Sequence, residues 1–336
     1  MNPLRAPRCA WLVTAAASLL AVQPLFAIDW VTNQVGEFTT GGNWVGGNVP
    51  QVGSGQTATI SSGTATFTPG GDFTLSGTDS GSPGTLIING TGTFTQTTSN
   101  AWFKVGNGAG TYGAVILNGG TFNLNGSDNF LIGNGGGNGA FTMTGGSFIG
   151  GDAAFALLPT GTANISGGTL SINTISALAG TFNLSGGLFD INAELRIEGS
   201  GVTISGGTLN TPIIAFQGAA QTANITGGRL ELNGTSAFNG FFANGTSHLN
   251  FLSGSSGVVY VSDIATVDIA GVSAAMLASR IRLNGVADAS AFTVTQEGTG
   301  FSIALVPEPT PGLSAALALA GLALLARRRP TRGVSG

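Results

Sequence analysis

Between residues 115 and 232, apolar and polar positions recur on a fixed phase around a pair of glycines. The segments are VILNGGTFNL from 115, FTMTGGSFIG from 141, ANISGGTLSI from 163, FNLSGGLFDI from 182, VTISGGTLNT from 202 and ANITGGRLEL from 223. The first glycines fall at 119, 145, 167, 186, 206 and 227. That step averages about 22 residues, a period of solenoid coils. Two positions before each pair stand Leu117, Met143, Ile165, Leu184, Ile204 and Ile225. Four before stand Val115, Phe141, Ala163, Phe182, Val202 and Ala223. Beyond the pair, after one variable residue, come Phe122, Phe148, Leu170, Phe189, Leu209 and Leu230. Alternation on both sides of the glycines predicts short strands with one buried face. The glycines predict a corner, where φ turns positive or backbones approach closely.

A strand, a glycine corner and another strand cannot bury an apolar face alone. Stacked coil on coil, the columns bury one another. The pattern therefore predicts an all-β fold, a parallel and right-handed β-helix solenoid with Gly-rich turns. Ten or so coils at about 4.8 Å each would make a rod of roughly 50 Å. An antiparallel β-sandwich is the alternative, but it has no need of one side-chain class at one phase in successive units. Asn164, Asn183, Thr203 and Asn224 share a polar phase, and such residues form hydrogen-bonded ladders along a stack. Residues 241–305 drift from the repeat but stay strand-like, which predicts terminal coils and a cap. Within them AAMLASRIRL (274–283) has a second reading, as one short helix.

Composition sharpens this picture. The chain has 57 glycines in 336 residues and only 8% charged residues. Its formal net charge of −4 hides an asymmetry, because most arginines lie at the two ends. The body keeps Lys104, Arg196, Arg229, Arg280 and Arg282 against nearly all of the chain's 15 carboxylates. An acidic body argues against a nucleic-acid partner. Residues 1–27 read as a signal helix: Arg5 and Arg8, then CAWLVTAAASLLAV, then LFA with cleavage after Ala27. The one cysteine, Cys9, lies inside that segment, so the mature chain would hold no disulfide and no thiolate ligand.

The opening of the body, FTTGGNWVGGNVPQVGSGQTATI (38–60), sets Trp44 beside glycine turns. It resembles the first segment of exported β-helix proteins, autotransporter passengers among them, and the resemblance implies a cap over residues 28–60. The repeat body then spans 61–240. No terminal membrane barrel follows, so that resemblance stops at the body.

The C-terminus carries Val306-Pro307-Glu308-Pro309, an uncharged run over 312–326, and Arg327, Arg328 and Arg329. As a helix, the run would extend about 22 Å. That is short of a core about 30 Å thick, a gap that flanking residues and local thinning close. The arginines would hold this end in the cytoplasm. The order of the three parts over residues 306–336 closely resembles the PEP-CTERM sorting signal. The resemblance implies recognition of Pro307, Glu308 and Pro309 by an exosortase-type membrane enzyme. It further implies removal of the tail and delivery to the surface or extracellular polysaccharide of a Gram-negative-type bacterium, after a transient stage in the inner membrane.

Candidate chemistry is sparse. Asp190, Asn210 and Glu231 share one outward phase and form the candidate ligand column. Asp190 and Glu231 would lie about 10 Å apart, slightly beyond the about 6.5–9.5 Å of inverting glycosidases. Glu194, Arg196 and Glu198 alternate and would pair locally. His248 has neither triad nor metal-site partners in the sequence pattern. GNGGGNGA at 133–140 lacks the aspartates of calcium repeats, and the glycine pairs lack a phosphate loop's Lys. These residues predict no catalytic site, no metal and no cofactor. The expected function is a surface or matrix structural or adhesive protein associated with exopolysaccharide. The alternative is a carbohydrate-active enzyme, a polysaccharide lyase or glycosidase, on the same scaffold.

Overall fold

The computed structural model describes residues 27–124, 126, 128–234, 246–262 and 280–307. The expected signal helix before Ala27, the run 312–326 and Arg327, Arg328 and Arg329 lie outside them, as do Glu308 and Pro309. The described chain is nearly all β and is built on long parallel sheets.

One coil shows the plan. Tyr112–Leu117 runs into the corner at Gly119 and Gly120, and Thr121–Asn123 leaves it. Asn129–Asn134 forms a third strand, after which Asn138–Met143 lies parallel on Tyr112–Leu117. Each coil thus offers three faces. The third face gathers into its own 7-stranded sheet, from Phe73–Leu75 to Ile214–Phe216.

The registers show why the sequence columns are apolar. On the first face Leu86, Val115, Phe141, Ala163, Phe182, Val202, Ala223, Leu249 and Ile281 lie opposite one another in unbroken succession. The second column, Leu117, Met143, Ile165, Leu184, Ile204 and Ile225, is buried to 2% exposure or less. On the second face Phe94, Phe122, Phe148, Leu170, Phe189, Leu209, Leu230 and Val259 succeed one another. Each such side chain removed from water stabilises the rod by about 1.5–3 kcal/mol before entropy is counted.

Both glycines of the corner sit tightly against the preceding coil. At Gly206 a Cβ would stand 2.2 Å from the Ser185 carbonyl oxygen of the preceding coil. Gly207 has φ of +69°, in the left-handed region that side chains avoid. Both reasons expected from the sequence therefore apply, the close approach at both residues and the positive φ at Gly207.

Coil length shortens from the first coils to the middle of the rod. Bonded side chains one coil apart are separated by 29 residues at Asn89 and Asn118, and by 26 at Asn118 and Thr144. The separation falls to 19 at Asn164 and Asn183. The long coils are packed with rings: Phe73, Phe103, Phe130 and Phe155 stack on the third face at centroid distances of 4.9, 5.5 and 5.6 Å. In the short coils the same column continues as Ser176, Leu195 and Ile214.

Both ends depart from the regular coil. At the start, Ala27–Asp29 and Val35–Glu37 already stack on Thr57–Ile60 and Thr64–Phe67, so residues 28–60 carry rungs of their own. Trp30 and Trp44 meet edge to face at 4.8 Å over this end, and the Trp44 indole donates to the Phe38 carbonyl. Ala27, the expected cleavage position, opens the first strand opposite Thr57. At the other end the parallel order stops. Phe292–Glu297 and Gly300–Leu305 form an antiparallel hairpin, whose inner strand lies antiparallel on Val258–Val261.

The helix reading of 274–283 fails where it can be seen. Ile281–Leu283 is a strand parallel to His248–Phe251, because Ile281 continues the buried column above Leu249. Residues 274–279 lie outside the described set. Among the described residues no helix is long and apolar enough to cross a membrane.

Candidate functional site

The outward columns are the place to look for chemistry, since parallel register repeats one position on every coil. On the second face Ile149, Ser171, Asp190, Asn210, Glu231 and Tyr260 line up. Asp190 and Glu231 are thus two coils apart with Asn210 between them, as the sequence phase predicts. The Asn210 amide donates to Asp190 Oδ1 at 2.7 Å.

Glu231 is engaged from the other side. Arg229, one column over, donates through Nε to Glu231 Oε1 at 2.6 Å. Its Nη2 reaches Glu297 Oε1 of the terminal hairpin at 3.0 Å, and its guanidinium lies 4.5 Å from the Tyr260 ring centroid. Burial alone would lower the Arg229 pKa, but its bonds to Glu231 and Glu297 outweigh that and raise it. Glu297 also accepts from the Ser302 hydroxyl. That bond, followed by the one from Arg229, holds its carboxyl below the ordinary value. Asp190 and Glu231 therefore face a bonded amide and an ion pair, and the Asn210 side chain fills the line between them. The geometry is that of a strap joining the last coils to the hairpin.

Polar ladders run along the other faces. Asn183 donates to Asn164 at 2.8 Å and Asn250 to Asn224 at 2.9 Å, in the column expected to ladder. Thr203 stands between these pairs. A second ladder, Thr144 to Asn118 to Asn89, has 3.0 Å at each step. A third joins Asn192 to Asn173 at 3.0 Å. Each amide that bonds along the rod keeps further capacity for a polar ligand.

The remaining sequence candidates have local partners. Arg196 bonds Glu194 at 3.1 Å, and that bond, with Glu198 nearby, raises the arginine's pKa. His248 opens the strand over Thr222, and its Nδ1 donates to the Thr246 carbonyl at 2.8 Å. In the stretch 133–140, Asn134 bonds Asn107 of the preceding coil at 2.6 Å. Among the described residues no group of three or more His, Cys, Asp or Glu is placed to hold a metal ion.

One cluster was not found by sequence reasoning. Lys104 Nζ meets Asp72 Oδ2 at 2.5 Å and lies 4.9 Å from the Trp102 ring, while the Trp102 amide donates to Asp72 Oδ1 at 2.9 Å. The Lys104 bond first, and the Trp102 amide after it, lower the Asp72 pKa against the opposing effect of burial. The group lies on and beside the third face, which no glycine pair marks. The alternation in AWFKV was its one signal.

The chain matches no protein-family model, no curated protein and no solved structure.

Proposed function

We propose that this chain is an exported structural or adhesive protein of the cell surface or extracellular matrix, its body a right-handed parallel β-helix. The observation that carries the reading is the continuity of the outward polar columns. They offer hydroxyl and amide groups at one spacing along the rod, on a weakly charged surface that suits neutral polymer chains. The partners we infer are exopolysaccharide, or further copies of the molecule. We read the Asp190–Asn210–Glu231 column as a surface contact and not as a catalytic pair, because both carboxylates are already engaged within the fold. Incubation with a panel of polysaccharides tests this. Retention without cleavage supports the scaffold. Cleavage that is lost in Asp190→Ala or Glu231→Ala would replace it with the enzyme reading.

We infer further that Pro307, Glu308 and Pro309 are read by an exosortase-type membrane enzyme, with the run 312–326 in the inner membrane and Arg327, Arg328 and Arg329 inside. Mass spectrometry of the secreted fraction should show a chain beginning after Ala27 and lacking the segment 312–336. A secreted chain ending at Gly336 would sink this part. Glu308→Gln should accumulate the precursor in the membrane.

A further inference from the structure

Among the described residues, the coil that would finish the rod stops at its first face. Ile281–Leu283 is the last parallel strand of the first face. The place above Val258–Val261 on the second face is taken by Gly300–Leu305, which arrives from the opposite direction. In the regular coils a glycine corner joins these two faces. Here the corner is a cavity of about 610 Å³, lined by Ser255, Gly257, Leu283, Ala304, Leu305 and Val306 among others.

Its surroundings are apolar and exposed. Leu252, Val286 and Val306 are 37%, 62% and 45% exposed. Leu252 directly precedes Ser253 at the cavity wall. Val286 exchanges backbone hydrogen bonds of 2.9 Å with Leu283. The two turns are fastened together, since Asn284 bonds the Ser253 amide at 3.2 Å and the Ser253 hydroxyl at 2.6 Å. This is a fixed patch at the end of the rod.

The course of the chain names the occupant. Val306 is still part of the fold, its amide donating to the Ala291 carbonyl at 2.9 Å. From Pro307 to the uncharged run that starts at Gly312 there are only Glu308, Pro309, Thr310 and Pro311. Such a link reaches at most about 17 Å. A headgroup layer is about 5–8 Å thick on each side of the core. If the run enters a bilayer, the link holds the end of the rod within about 10 Å of the headgroups.

We propose that this end of the solenoid seats on the lipid bilayer. Leu252, Val286 and Val306 enter the boundary between headgroups and acyl chains, and the open corner receives acyl methylenes. The seat holds the rod end-on and keeps Pro307 at the membrane surface, where a membrane-embedded enzyme works. The proposal rests on the reading of 312–326 as a span.

The test uses the chain from Ile28 onward, the form left by the signal cleavage expected after Ala27, which contains no cysteine of its own. A polarity-sensitive dye is placed at Val286→Cys, at Leu252→Cys and, as the control at the other end, at Val35→Cys. Each protein is reconstituted in phosphatidylcholine vesicles whose acyl chains carry a spin label. The expected result is flotation with the vesicles and about twofold or greater quenching at 252 and 286, with position 35 unquenched, as for side chains buried in the interface. Flotation with positions 252 and 286 as unquenched as 35 overturns the seat and leaves the span standing. Quenching at all three positions means a rod lying flat, which also overturns it. A chain that stays behind when the vesicles float overturns the span, and the seat falls with it.

Discussion

A Cβ at position 206 would stand 2.2 Å from the Ser185 carbonyl oxygen, and backbone cannot yield as a flexible side chain does. Gly206→Ala should therefore cost about 1–3 kcal/mol, the usual cost of overpacking, read as a lower urea midpoint. A variant as stable as the parent would mean that coils slide freely past one another. Gln96 presents the opposite case. Its side chain is fully buried, and neither amide atom has a partner within the fold. Gln96→Met keeps the length and removes the unmet groups, so it should raise stability by about 1–3 kcal/mol. A loss on this substitution would mean that a buried water satisfies the amide. The sequence pattern placed Gly206 at a corner, whereas Gln96, on the inward phase of Phe94 in TFTQ, lies outside the glycine-paired segments from which it was read. It was silent on the cost, because an unmet amide is a fact about three-dimensional neighbours.

At the scale of elements, the glycine-paired strands were readable and the third face was not. The first two faces alternate cleanly on either side of a fixed marker. The third face has no marker, and its alternation is blurred where the outside is apolar too. Leu131 points outward yet is 9% exposed, and AFAL at 154–157 is apolar at every position. The loops that lead to it also change length from coil to coil, which erases the period. The terminal hairpin was likewise read only as a cap, since antiparallel and parallel strands share one alternation. Its attachment makes a prediction about pH. Glu297 has its pKa lowered by Ser302 and by Arg229. A depressed carboxyl contributes stability above its unfolded pKa, about 4.3 for Glu, and loses that contribution as the pH falls through the folded value. Hydrogen exchange in residues 292–305 should thus be flat from neutral pH to about 5, after correction for intrinsic rates, and should rise below about 4. Glu297→Gln should show the raised exchange already at neutral pH. Exchange that rises equally in both proteins would assign the acid effect to other carboxylates, such as Asp72.

Across the whole molecule, ring contacts crowd the first half of the lumen and thin out beyond Phe189, and this gives the rod a direction. Where a coil takes 29 or 26 residues, the interior is crossed by ring contacts such as Phe94–Phe122 at 5.6 Å and Phe122–Phe148 at 5.1 Å. Where it takes 19 or 20, the rings end with Phe182 and Phe189 at 5.5 Å, and Val202, Ile204 and Leu209 follow. Aromatic side chains bury more area and add directional contacts of about 0.5–1.5 kcal/mol per pair. In a solenoid each coil is held only by its neighbours, so such differences are not averaged over the fold. Unfolding should therefore begin at the C-terminal side and stop at the aromatic section. Amides of 112–157 should exchange only through global opening, while those of 202–232 should open earlier, through a sub-global event. Phe130→Ala, in the middle of the ring stack, should cost about 3–5 kcal/mol and abolish the difference between the two regions. In contrast, Leu209→Ala should lower protection from 202 onward and leave 112–157 unchanged. Uniform protection along the parent chain would show that the coils unfold as one unit, and that the aromatic filling sets coil width without setting the order in which the rod comes apart.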